Sequence, residues 1–156
     1  MSKGLIQRLS DRLQAAQYTI YSPEALDAKI QKAQDKLLET KERSQNDPSN
    51  TRLKAYLKYL AAGIKNLREN KIIARRYVAL SAKLEKEKDP VKRKELRAEM
   101  RHTKLISKKL HDNFIGVTEQ FVKEYRTARA ADRKKAVQHR DRGEENSIQY
   151  DQNDED

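Results

Sequence analysis

The stretch SPEALDAKIQKAQDKLLETKERSQNDPSN, residues 22–50, decides the fold. It opens on Ser22-Pro23-Glu24, a hydroxyl that can cap free N–H groups, a proline suited to the first helical position and a carboxylate at the positive end of the helix dipole. Leu26, Ile30, Ala33, Leu37 and Leu38 then recur at roughly helical spacing. The stretch closes on Asn46-Asp47-Pro48-Ser49-Asn50, a cluster of turn formers that should end the helix near Gln45. One amphipathic helix followed by a tight turn sets the pattern for the rest of the chain.

Reading toward the C-terminus, Asp47 or Ser49 is placed to cap a second long helix over 49–87. Its apolar stripe is Leu53, Leu57, Leu60, Ile64, Leu67, Ala74 and Val78, widened by Tyr56, Ile73, Tyr77, Leu80 and Leu84. Lys71 falls on the seam, so the stripe shifts there. Asp89-Pro90 repeats the cap-then-proline signal and starts a third long helix. Leu96, Met100, Thr103, Leu110, Phe114, Val117, Phe121, Tyr125 and Ala128 mark its buried face, broadened by Ile106, Ile115 and Val122, and the pattern fades after Val137. Toward the N-terminus, residues 2–17 form a short amphipathic helix with Leu5, Ile6, Leu9 and Leu13 on one face.

Short connections at 46–50 and 87–90 force successive helices to run antiparallel. The expectation is an all-α fold, an elongated antiparallel bundle of three long helices plus a short N-terminal amphipathic helix. Residues 1–21 are the short helix and its linker, 22–142 the bundle, and 143–156 a disordered acidic tail. With 36% hydrophobic and 38% charged residues, 4 Gly and 3 Pro, the chain suits thin helical packing better than a many-stranded sheet.

The same inventory limits the chemistry. Without cysteine there is no disulfide, thiolate nucleophile or cysteine metal site. His102, His111 and His139 match no common helical metal spacing, and the glycines at 4, 63, 116 and 143 stand alone rather than in a phosphate loop. The reading is a non-enzymatic protein with no cofactor, no metal and no small-molecule substrate. No apolar run approaches the roughly 20 residues of a membrane span, and no signal-peptide core opens the chain, so a soluble, cytoplasmic or otherwise intracellular protein is expected. Gly63 and Gly116 interrupt helices, as tolerated imperfections or as points of close helix approach.

Charge is the strongest functional signal. The net charge of +11 is a body of +17 offset by a tail of −6 over residues 144–156. Arg93, Arg97, Arg101, Lys104 and Lys108 recur every three or four residues, with Lys92, Lys94 and Lys109 beside them and Arg75 and Arg76 on the preceding helix. Such a stripe binds phosphate backbones through counterion release without reading sequence. Glu95, Glu99, Glu119, Glu124 and Asp132 interleave as i,i±4 partners, which would make it a solvated, charge-paired face instead. The N-terminal helix also has two readings. Leu5, Ile6, Leu9 and Leu13 either cap the open end of the bundle or lie on an anionic membrane surface.

From about Ala25 to Gln138 the layout resembles the N-terminal three-helix regulatory domain of syntaxin-family SNARE proteins. The likeness lies in three successive helices, the NDPSN turn at 46–50, and the last helix, RHTKLISKKLHDNFIGVTEQFVKEYRTARAADRKKAV, 101–137. The resemblance implies a regulatory domain of membrane traffic that binds a SNARE helix or an SM-type regulator. Leu110, Phe114, Val117 and Phe121 would then be core, with the docking groove between the second and third long helices.

Together these readings give a protein-binding or assembly module that docks a partner helix or self-associates, in vesicle traffic if the resemblance holds. The alternative is a basic structural protein that binds nucleic acid without sequence specificity, viral, phage or chromosomal.

Overall fold

The computed structural model describes residues 4–141 and contains four helices in chain order. They are α1 (Leu5–Gln17), α2 (Pro23–Asn46), α3 (Thr51–Lys86) and α4 (Pro90–Asp141). No strand occurs among the described residues. The fold is the expected all-α antiparallel bundle with a short N-terminal helix, while the expected acidic tail lies outside the described residues. Among the described residues no helix is long and apolar enough to cross a membrane.

Local chemistry starts each helix. Ser22 accepts from the Ala25 N–H at 3.1 Å, with Pro23 in the first turn. Asn50, rather than Asp47 or Ser49, caps α3 by accepting from the Leu53 N–H at 3.2 Å. Asp47 holds the turn itself, receiving Asn50 Nδ2 at 3.2 Å while its carbonyl takes the Asn50 N–H at 3.1 Å. Asp89 accepts from the Val91 N–H at 3.3 Å and opens α4.

α3 is the common partner of the other two long helices. At a rise of ~1.5 Å per residue α3 spans ~54 Å and α4 ~78 Å. α4 runs antiparallel along all of α3, from Arg93 beside Leu84 to Asp132 beside Thr51, and continues beyond it. α2 lies antiparallel on α3, with Asp27 paired to Lys71. α2 and α4 do not approach within 8 Å at Cα anywhere among the described residues, so the bundle is open along one side. α1 rests on α4 alone by the same measure.

An aromatic ladder joins α3 to α4. Tyr59 stacks on Phe121 at 4.3 Å and on Phe114 at 5.5 Å between ring centroids, and Tyr56 meets Phe121 edge-on at 5.9 Å. Gly63 faces the Phe114 ring, and a Cβ there would stand 3.4 Å from the ring edge, an ordinary van der Waals contact. Gly116 faces open space, so neither glycine is required by a close helix approach.

Several expected core positions are exposed: Leu38, Val78, Ile115, Val117 and Val122. Polar residues take part of the core instead. Thr103 and Ser107 are almost wholly buried, joined by Thr40, Asn70, Arg52 and Asp132. Asp132 is no surface partner within its own helix. Its carboxylate receives the Thr51 hydroxyl at 2.8 Å and lies 3.3 Å from Arg52 Nε in an ion pair off the hydrogen-bond line. The carboxylate also faces the N-terminus of α3, where negative charge is favoured.

That buried pair yields a stability test. Removing one partner of a buried ion pair typically costs about 3–5 kcal/mol, whereas an apolar replacement of both is often near neutral. Asp132→Ala is therefore expected to lower the urea midpoint sharply, and Arg52→Met with Asp132→Leu to recover most of the loss. A loss under about 1 kcal/mol in Asp132→Ala would show that the pair does not hold α4 to the start of α3.

Candidate functional site

The gap between α2 and α4 forms an apolar groove floored by α3. Its volume is about 300 Å³. Leu26 and Ala33 line it from α2, Leu60, Gly63 and Leu67 from α3, and Phe114 from α4. Tyr18, Ile20 and Tyr21, from the segment between α1 and α2, close one end. Lys29 and His111 belong to the lining and are exposed, and Lys29 places a positive charge at the rim. Lys29 Nζ sits 4.6 Å from the Tyr21 ring centroid, a cation–π contact that holds the linker against α2.

The resemblance implies docking between α3 and α4, but the aromatic ladder fills that seam. The open apolar surface lies one helix away, between α2 and α4. Leu110, Phe114 and Phe121 are half-buried and pack as core, whereas Val117 is 39% exposed.

A chain of hydrogen bonds crosses the end of the groove. The Tyr18 and Ser107 hydroxyls meet at 3.0 Å, and Ser107 donates to Asn70 Oδ1 at 3.0 Å. Asn70 Nδ2 donates back to the Asn66 carbonyl at 3.1 Å, and Asn66 Nδ2 to the Leu110 carbonyl at 3.0 Å. Each buried polar atom in this chain thus has a partner, as a dry interior requires. The network ties the linker, α3 and α4 together at the level where α1 gives way to α2.

The basic stripe of α4 divides into parts with different fates. Arg93 donates to the Leu84 and Glu87 carbonyls at 2.6 and 2.8 Å, so it caps the end of α3. Lys108 pairs with Asp112 at 2.7 Å. Lys104 lies 5.7 Å from the Tyr77 ring centroid. Lys92, Lys94, Arg97 and Lys109 are exposed. Arg75 and Arg76 are exposed on α3. Arg97, Arg101 and Lys104 do converge, together with Arg12 of α1, around a cleft of about 240 Å³ whose apolar floor includes Ala15, Leu84 and Met100. None of its lining residues is acidic. Only the packing of α1 on α4 brings Arg12 to this cleft.

The apolar residues of α1 do not cap the bundle. Leu5, Ile6, Leu9 and Leu13 are 66, 85, 54 and 59% exposed, while Ala15 is 2% exposed. The end-cap expectation is corrected: α1 packs through its small-residue side and turns its apolar side outward. Among the described residues no group of three or more His, Asp and Glu is placed to hold a metal ion.

No family model, curated protein or solved structure matches the chain.

Two measurements check this geometry. Ser107→Ala strips Asn70 and Tyr18 of their shared partner, and a buried polar group left unpaired costs about 1–3 kcal/mol. A loss in that range, with faster amide exchange in α1, is expected; an unchanged midpoint would mean that the network does not anchor the linker. Burial, then the neighbouring Tyr59 and Glu39, raises the Tyr56 hydroxyl above its ordinary 10.0. The unfolded chain then ionises first, so this contribution is complete below pH 10 and is lost as pH rises through the folded value. Alkaline unfolding followed by tyrosinate absorbance is expected to show a destabilisation that Tyr56→Phe reduces.

Proposed function

We propose that this chain is a non-enzymatic helix-docking module, a regulatory or adaptor domain whose groove between α2 and α4 receives an amphipathic helix of a partner protein. The observation that carries the reading is the open side of the bundle. Two long helices are held apart on a third, and apolar side chains line the space between them. An amphipathic helix meets such a groove with apolar anchors at i, i+3, i+4 and i+7. The groove's volume suits a few anchor side chains, with the body of the helix lying above them. Lys29 at the rim favours an acidic residue on the flank of that helix. The resemblance to syntaxin-family regulatory domains points to vesicle traffic as the setting. The nucleic-acid alternative draws less support, because capping and a local ion pair occupy Arg93 and Lys108.

Helices selected from a displayed library of acidic amphipathic sequences provide the test. Binders to the full chain are expected to shift the amide resonances of Leu26, Ala33, Leu60 and Leu67. Their Kd should rise about tenfold or more, ~1.4 kcal/mol, in Ala33→Arg. Binders that map elsewhere and ignore Ala33→Arg would overturn the groove reading. Salt-sensitive, micromolar binding of a labelled random duplex in fluorescence anisotropy would favour the nucleic-acid reading instead.

A further inference from the structure

A stripe such as Leu5, Ile6, Leu9 and Leu13 ordinarily turns a helix toward its protein core. α1 does the reverse. Ala15, about 200° around the helix from Leu13 at 100° per residue, is the residue buried against α4, and the four large apolar side chains face solvent. Tyr18 fixes this orientation from the end of the helix through its bond to Ser107. Arg8 and Arg12 flank the exposed stripe.

The charge beside α1 says what covers it. Arg12, Arg97, Arg101 and Lys104 gather along the contact between α1 and α4, in a cleft without an acidic lining residue. Among the described residues no carboxylate pairs with Arg12, Arg97 or Arg101. A surface that satisfies both features must offer apolar depth beneath the stripe and negative charge beside it. Nucleic acid supplies the charge but not the apolar layer. A second copy of α1 supplies the apolar face but sets its own arginines against these. An anionic lipid surface supplies both, with acyl chains below and phosphate or carboxylate headgroups at the level of the cations.

We propose that α1 is an interfacial membrane helix, which inserts Leu5, Ile6, Leu9 and Leu13 at the headgroup boundary while Arg12, Arg97 and Arg101 contact anionic headgroups. This surface is separate from the groove between α2 and α4, and the inference does not rest on the groove's occupant.

The chain has no tryptophan, so Leu9→Trp introduces a single reporter at an exposed position. With vesicles of phosphatidylcholine and phosphatidylserine, its emission is expected to shift to the blue and to be quenched by brominated acyl chains. Phosphatidylcholine alone, raised salt, or Arg97→Gln with Arg101→Gln should each weaken the binding about tenfold. In the otherwise unaltered chain, Leu5→Glu with Leu9→Glu should abolish co-sedimentation with the vesicles, while circular dichroism confirms retained helix. No shift with the mixed vesicles, or co-sedimentation that survives Leu5→Glu with Leu9→Glu, would overturn the proposal. So would a dimer in sedimentation equilibrium without lipid that the same glutamates dissociate, because a second copy would then cover the stripe.

Discussion

The stacking of Tyr59 between Phe114 and Phe121 sets the register of α3 against α4, and the rest of the molecule is built on that hairpin. With centroids at 4.3 and 5.5 Å, the three rings admit little sliding. The Tyr59 hydroxyl adds a bond to Thr118 at 3.0 Å, which closes the same register from a polar direction. Once this register is fixed, Asp132 stands over the start of α3 and Arg93 reaches the carbonyls at its end. α2 then docks on α3, and α1 on α4. In a bundle this thin each helix has few neighbours, and a slip by one turn would unseat the aromatic, ionic and capping contacts together.

Helix count, order and direction were legible in the sequence because turn chemistry is local. Ser22-Pro23, the NDPSN cluster and Asp89-Pro90 act through atoms a few residues apart, and no distant contact can reverse them. The apolar stripes gave each helix a buried side for the same reason. Less legible was which members of a stripe lose their water. Leu38, Val117 and Val122 have the right spacing, yet they remain exposed. Apolar periodicity also passes over polar residues. Ser107 and Asn70 fall on buried positions and are tolerated there only because they bond each other. Asp132 looked like one more charge on a charged helix, and its partners, Thr51 and Arg52, lie some eighty residues earlier in the chain.

The candidate basic site was legible in composition but not in geometry. Five lysines and arginines at helical spacing, with three more beside them, suggest one continuous track. Tertiary structure divides it by giving Arg93 to a helix end and Lys108 to Asp112. What remains is a shorter cluster, completed by Arg12 from a helix nearly ninety residues away. Cations thus gather where α1 crosses α4, rather than along the whole of α4.

The segment from Tyr18 to Tyr21 joins the two surfaces. Tyr18, Ile20 and Tyr21 close one end of the groove, and Tyr18 is also the residue through which α1 is tied to Ser107. A helix that enters the groove from that end meets the tyrosines first. If it displaces the Tyr18 hydroxyl, α1 loses a hydrogen bond whose net worth is about 0.5–1.5 kcal/mol, a modest anchor for a helix whose backbone comes close to α4 alone. Coupling between the two surfaces would therefore be carried by a few residues at one point, and by thermodynamic reciprocity whatever fixes α1 in place would shape the mouth of the groove by the same amount.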